Sequence, residues 1–121
     1  MRKILFVEDS STWRNLWKAV IAEERCLSAE TIDEAVCLVE EHHEDIVMAV
    51  FDFRVPDEEH TSLPVIRRLR ELRGDKVYIV GTSAHDEHLR ELWDSHLCDT
   101  VVSKLKAEWL VATMDELMSG V

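Results

Sequence analysis

The stretch from Ile46 to Pro56 reads Ile-Val-Met-Ala-Val-Phe-Asp-Phe-Arg-Val-Pro and predicts the central strand of a parallel sheet. Its first six residues are apolar and rich in β-branched and aromatic types, which is typical of a strand buried on both faces. Asp52 follows at the carboxyl end of this strand, where open α/β sheets bind their ligands. Pro56 has no backbone N–H and therefore ends the pairing. The stretch places a carboxylate at the sheet edge, either as a site residue or as a cap.

Length and composition predict a single domain that spans residues 1–121. The chain is 46% apolar and 32% charged, which suits one compact core under a soluble surface. Its formal net charge of −11 repels phosphate backbones, so we expect no direct binding of nucleic acid. No apolar run approaches the roughly 20 residues of a membrane span, and no secretion leader is evident. We therefore expect a cytoplasmic protein that does not engage a membrane.

The cysteines predict neither a disulfide framework nor a zinc site. Cys26, Cys37 and Cys98 are odd in number, widely separated and contain no C-x-x-C motif. We expect three reduced and mostly buried thiols.

Strands and helices alternate along the chain. Short apolar runs predict the other four strands, at residues 3–7, 26–29, 76–80 and 100–102. Apolar residues at helical spacing follow each strand, and the first such stripe consists of Trp13, Leu16, Trp17, Val20 and Ile21. The stripe of the fourth helix consists of Leu89, Leu92, Trp93 and His96. Helix starts are predicted at Thr31 or Asp33 and at Ser62, with Pro64 in the first turn.

This alternation predicts the fold class. Five strands that alternate with five helices form a parallel sheet through right-handed crossovers, with helices on both faces. We predict a single doubly wound α/β domain with strand order 2-1-3-4-5, the flavodoxin-like arrangement.

The carboxyl ends of the predicted strands collect chemically active side chains at one rim. Three carboxylates, from Glu8, Asp9 and Asp52, disfavour joint ionisation unless a cation binds among them. Oxygen donors without His or Cys suit Mg²⁺ or Mn²⁺. Ser83 and Lys104 could hold phosphoryl oxygens, and a carboxylate can itself be the nucleophile that forms an aspartyl-phosphate.

These segments resemble the receiver domain of two-component response regulators, and the likeness covers nearly the whole chain. The matching segments are residues 4–11, 52–56, 83–84 and 103–104. The resemblance implies that Asp52 accepts a phosphoryl group from a sensor histidine kinase or a phosphotransfer protein. It also implies an unknown downstream protein target and leaves a homodimer open.

The resemblance further implies a role for each site residue. Asp9, Asp52 and the backbone carbonyl of Arg54 would bind Mg²⁺, and Glu8 would act through a metal-bound water. Lys104 would pair with the phosphoryl oxygens. Ser83 would turn inward to hydrogen-bond the phosphorylated state.

The chain departs from the receiver pattern at several positions. Leu105 replaces the usual proline after the lysine, and Val101 stands where the family has its switch aromatic. One alternative is therefore a pseudo-receiver, an interaction module that does not use phosphorylation. A small Mg²⁺-dependent phosphatase is a weaker alternative, because such enzymes carry a second aspartate where this chain has Arg54. A flavodoxin-type cofactor carrier is weaker still, because the acidic first turn would repel a phosphate.

Two further patterns lie near the predicted site. His85 and His88 lack the i, i+4 spacing of paired metal ligands on a helix, which favours a solvated helix start. Arg54 and His85 each lie two residues beyond a site residue, and our hypothesis is that they tune the lifetime of the acyl phosphate. Trp109 lies off the apolar stripe of the last helix and either covers a seam or contributes to a partner surface.

Overall fold

A five-stranded parallel sheet forms the centre of the structure, a computed structural model that describes residues 2–8, 15, 25–53, 61–104 and 112. Its strands are β1 (Lys3–Val7), β2 (Cys26–Ala29), β3 (Ile46–Asp52), β4 (Tyr78–Ser83) and β5 (Thr100–Ser103). All neighbouring strands pair in parallel, in the order β2-β1-β3-β4-β5. The predicted α/β fold and its strand order are confirmed.

Burial of alternate residues shows that both faces of the sheet are covered. On β3, Ala49 and Phe51 belong to one face and are fully buried. Met48 and Val50 lie on the other face, and at most 4% of either is exposed. The prediction that the central strand is buried on both faces is therefore confirmed.

Strand β4 lies further along the chain than the sequence pattern predicts. Lys76 belongs to a 3₁₀ turn, Gly74–Lys76, rather than to the strand. At its other end β4 continues through Ser83, because Thr82 pairs with Asp52 of β3 and Ser83 pairs with Ser103 of β5. These polar residues lack the apolar character on which the prediction relied. Their pairing keeps Ser83 in the sheet.

Three helices are described in full: α1 (Ile32–His42), α2 (Leu63–Arg73) and α3 (Asp86–Asp94). No helix among the described residues is long and apolar enough to cross a membrane. The predicted first and last helices lie outside the described residues, apart from Asn15 and Ala112, which are helical. The prediction for Trp109 also falls outside them.

Local sequence signals fix the ends of α1 and α2. Thr31 is the N-cap of α1, and its hydroxyl accepts a hydrogen bond from the Glu34 N–H at 3.1 Å. Pro64 lies in the first turn of α2, where its missing N–H costs no helical hydrogen bond. Gly74 ends α2 with a backbone φ of +56°, a conformation that residues with a Cβ rarely adopt.

Two residues of the stripe predicted for the fourth helix do not belong to a buried face. Leu92 is fully buried, but Trp93 is 64% exposed. The helix ends at Asp94 with Ser95 as its cap, and His96 follows with a positive φ of 57°. The interpretation of Trp93 and His96 as inward-facing is wrong. Trp93 directly follows the buried Leu92 and so lies about 100° around the helix from it, and the exposed His96 lies beyond the end of the helix.

The cysteines are free, as predicted, but less buried than predicted. Cys26 and Cys98 are partly buried, and Cys37 is exposed. Cys37 lies on α1 next to Val36, another exposed residue, on the side of the helix that faces away from the buried Ala35 and Val39.

Candidate functional site

The carboxyl ends of β1, β3 and β5 bring three charged side chains together. The pairing of Val7 with Phe51 puts Glu8 and Asp52 at the same level of adjacent strands. The Lys104 ammonium donates a hydrogen bond to Asp52 Oδ2 at 3.0 Å and forms an ion pair with the Glu8 carboxylate. Only 4% of Glu8 and 8% of Asp52 is exposed. We call these three residues the Lys104 cluster.

Electrostatics keep Lys104 charged in this buried position. Burial by itself would lower the pKa of Lys104, because it disfavours the charged form. The hydrogen bond with Glu8 and the negative charges of Asp52 and Glu8 outweigh burial, so the pKa of Lys104 is raised above its ordinary value. When both carboxylates are ionised, the Lys104 cluster has two negative charges and one positive charge. Among the described residues, two carboxylates share one ammonium, which makes this rim a candidate for a further cation.

The described donors fit the predicted metal, although part of the predicted site lies outside the described residues. Asp9 and Arg54 fall outside them. Glu8 and Asp52 are described, and buried carboxylates are the hard oxygen donors that Mg²⁺ prefers. Within the described ranges, no group of three or more His, Cys, Asp or Glu residues forms a metal-binding cluster. The complete ligand set stays a prediction.

Ser83 lies at the carboxyl end of β4, 2% exposed, with its hydroxyl engaged by helix α3. Its Oγ accepts a hydrogen bond from the His85 N–H at 3.1 Å and lies 3.1 Å from His88 Nδ1. Within the described part of the chain, both side-chain hydrogen bonds of Ser83 are with residues at the start of helix α3. That Ser83 turns inward to hydrogen-bond a phosphoryl group stays a prediction.

His88 is the neighbour of the site that the sequence interpretation missed. It is half-buried, and its ring centroid lies 4.7 Å from that of Phe53, the residue directly after Asp52. It also contacts the exposed His85 ring edge-on, with the centroids 5.1 Å apart. The interpretation of residues 85–88 as a solvated helix start is confirmed for the first three, which are exposed, and is wrong for His88. The available signal was its spacing: His88 lies four residues before the buried Leu92 and so shares its helix face.

Solved receiver domains match nearly the whole chain in structure. The response regulator TrrA from Thermotoga maritima, in complex with Mg²⁺ and BeF, is 25% identical over 97% of this chain and 99% of its own, with a TM-score of 0.75. A CheY-like receiver domain from Methanospirillum hungatei is 18% identical over 99% of this chain and 95% of its own, with a TM-score of 0.76. The receiver domain of NtrX from Brucella abortus is 15% identical over 98% of this chain and 100% of its own, with a TM-score of 0.74.

No protein-family model matches the chain, and no curated protein matches its sequence. The class is instead defined by structure. The chain has the receiver-domain fold of two-component response regulators, and the resemblance that the sequence indicated is confirmed.

Proposed function

We propose that this chain is a phosphoacceptor switch in which Asp52 receives a phosphoryl group from a histidine kinase or a phosphotransfer protein. The observation that carries the proposal is the Lys104 cluster, in which one buried ammonium contacts both Glu8 and Asp52. Phosphorylation would then shift the population between two forms of a protein-binding surface. The kinase, the downstream target and any homodimer stay predictions.

The proposed reaction is a direct displacement at phosphorus. A carboxylate oxygen of Asp52 attacks the phosphorus atom and forms a P–O bond. The bond from phosphorus to the donor breaks at the same centre, and the donor leaves with the electron pair. Lys104 Nζ lies 3.0 Å from Asp52 Oδ2, which is close enough to donate to an oxygen of the incoming group. Such a transfer depends on positioning and charge neutralisation, which this arrangement supports.

A divalent cation belongs to the proposal. TrrA, which is similar to this chain, forms a complex with Mg²⁺ and BeF. We propose that Asp9, Asp52 and the Arg54 carbonyl bind Mg²⁺, or Mn²⁺, and that Glu8 acts through a metal-bound water. The cation supplies positive charge beside the phosphoryl oxygens when it is bound.

Phosphoryl labelling tests the proposal. The chain is incubated with Mg²⁺ and acetyl phosphate, and its intact mass is measured. We expect the wild-type chain to gain one phosphoryl group and Asp52→Asn to gain none. Asp75→Asn is the matched control, because Asp75 is an exposed aspartate in the 3₁₀ turn and should leave labelling unchanged. Removal of Mg²⁺ with a chelator should also abolish labelling.

The same experiment addresses the alternatives. A folded wild-type chain without any mass gain would support the pseudo-receiver, which Val101 favours: it lies partly buried against the core where receivers place their switch aromatic. Continuous release of phosphate from several substrates, without lasting labelling, would support the phosphatase. Labelling that persists in Asp52→Asn would contradict the assignment of the acceptor.

A further inference from the structure

In this structure the Ser83 hydroxyl makes hydrogen bonds with His85 and His88 at the start of helix α3. A serine hydroxyl has one hydrogen to donate and two lone pairs that accept. The His85 N–H occupies one lone pair at 3.1 Å. Because Ser83 is only 2% exposed, its hydrogen needs an acceptor within the protein. Among the described residues, His88 Nδ1 lies within reach at 3.1 Å and accepts the hydrogen when that ring nitrogen carries no proton.

Packing holds the His88 ring within hydrogen-bond distance of Ser83. It shares a face of α3 with Leu92, which is fully buried, and it packs at 4.7 Å against the ring of Phe53. The backbone N–H of Phe53 donates a hydrogen bond to the Thr82 carbonyl at 2.9 Å. The contact therefore links the end of β3, which carries Asp52, to the end of β4, which carries Ser83.

We propose that His88 is a positioning residue that holds Ser83 in a resting rotamer and thereby opposes phosphorylation of Asp52. The inference rests on the proposed function. A single hydroxyl hydrogen cannot be donated to His88 Nδ1 and to a phosphoryl oxygen at the same time. The Ser83 hydroxyl therefore donates either to His88 or to a phosphoryl oxygen. The hydrogen bond to His88 shifts the equilibrium toward the resting form.

Two substitutions at His88 separate the hydrogen bond from the ring packing. His88→Phe keeps an aromatic ring against Phe53 but removes the acceptor, so the resting rotamer of Ser83 loses its partner. We expect Mg²⁺ with beryllofluoride to bind about 3- to 10-fold more tightly, the range that corresponds to one neutral hydrogen bond. His88→Asn replaces the acceptor near the position of Nδ1 and should restore wild-type affinity. Glu87→Gln, at an exposed position of the same helix, is the matched control and should change nothing.

The measurement is a titration of each variant with Mg²⁺ and beryllofluoride, followed by amide NMR shifts and repeated in a Ser83→Ala background. If His88 acts through Ser83, then His88→Phe has no effect in that background, whereas a purely structural role would persist there. Equal affinities of His88→Phe and wild type, or an effect that survives Ser83→Ala, would overturn the inference alone. A wild-type chain that binds no beryllofluoride would overturn the proposed function, and this inference with it.

Discussion

Two clusters of charged side chains lie at opposite ends of strand β5, and among the described residues they differ in burial and in charge balance. The Lys104 cluster follows β5, and two carboxylates share its one ammonium. The Arg70 cluster, which comprises Arg70, Asp99 and the carbonyls of Gly74, Val77 and Leu97, lies near the other end. There the Arg70 guanidinium donates to Asp99 at 2.9 Å and to the three carbonyls at 2.7–3.2 Å.

The comparison distinguishes a structural ion pair from a candidate site. In the Arg70 cluster one cation meets one carboxylate, and Asp99 also accepts from the Ile79 N–H at 2.8 Å. Its charges balance and its donors have partners, so it fixes α2 to the sheet and has no need of a ligand. In the Lys104 cluster, two buried carboxylates share one ammonium among the residues that the structure describes. Such an imbalance is costly for stability, and it is what a site for a cation and a phosphoryl group requires.

Lys104→Met should give the largest effect. Removal of the ammonium takes from the buried Glu8 and Asp52 the cation that they share, which we expect to cost about 3 kcal/mol of unfolding free energy and to reduce phosphoryl labelling about 100-fold. Urea unfolding at neutral pH is the measurement, and added Mg²⁺ should recover part of the stability. The pKa of Lys104 is raised in the fold. Lys104 therefore makes its full contribution to the free energy of unfolding below its ordinary pKa of 10.5, and this contribution declines only as the pH rises through the higher pKa of the folded state. Lys76→Met, at an exposed position, is the control. Unchanged stability would place Lys104 among ordinary surface lysines.

Arg70→Met should lower stability without affecting the chemistry. It removes the donors to three backbone carbonyls and to Asp99, and we expect a loss of about 2 kcal/mol, because the cluster is partly exposed and water replaces some of the hydrogen bonds. Labelling of Asp52 by acetyl phosphate should stay at the wild-type level under conditions in which the variant is folded. Arg67→Met, on the same helix and exposed, is the matched control for unfolding. A labelling defect in Arg70→Met would abolish the distinction between the two clusters.

Ionisation of Cys98, which lies beside the Arg70 cluster, should give the smallest effect on stability. We expect this effect in alkaline solution. Burial raises the pKa of the Cys98 thiol from 9.0 to about 11; the charge of Arg70 lowers it and that of Asp99 raises it further. Between those values the unfolded chain has lost the thiol proton and the folded chain retains it, so stability falls as the pH rises from about 9 to about 11. We expect a fall of about 1 kcal/mol, after allowance for solvent screening of a partly exposed group.

Thermal or urea unfolding across this pH range measures the fall. Cys98→Ala should flatten that part of the profile. Cys37→Ala should retain it, because the Cys37 thiol is exposed. Identical profiles for the two variants would show that Cys98 ionises as freely in the fold as in the unfolded chain.

The sequence predicted features that depend on local pattern. The apolar run that ends at Asp52 fixed β3 and its burial on both faces, and Thr31 was rightly among the predicted caps. The sequence pattern gave wrong predictions where the polarity or spacing of a residue conflicts with its position in the fold. Polar Thr82 and Ser83 belong to β4 because both neighbouring strands pair with them, and Trp93 is exposed although its spacing suits an inward stripe.

The sequence by itself determined the fold class, the strand order and the presence of Glu8, Asp52, Ser83 and Lys104 at the ends of strands, because hydrophobic periodicity specifies which segments form strands and helices. Only the tertiary structure decided that one ammonium contacts two carboxylates and that the Ser83 hydroxyl bonds to His88. Those contacts depend on the register between strands and on side-chain rotamers, which no local pattern in the chain encodes.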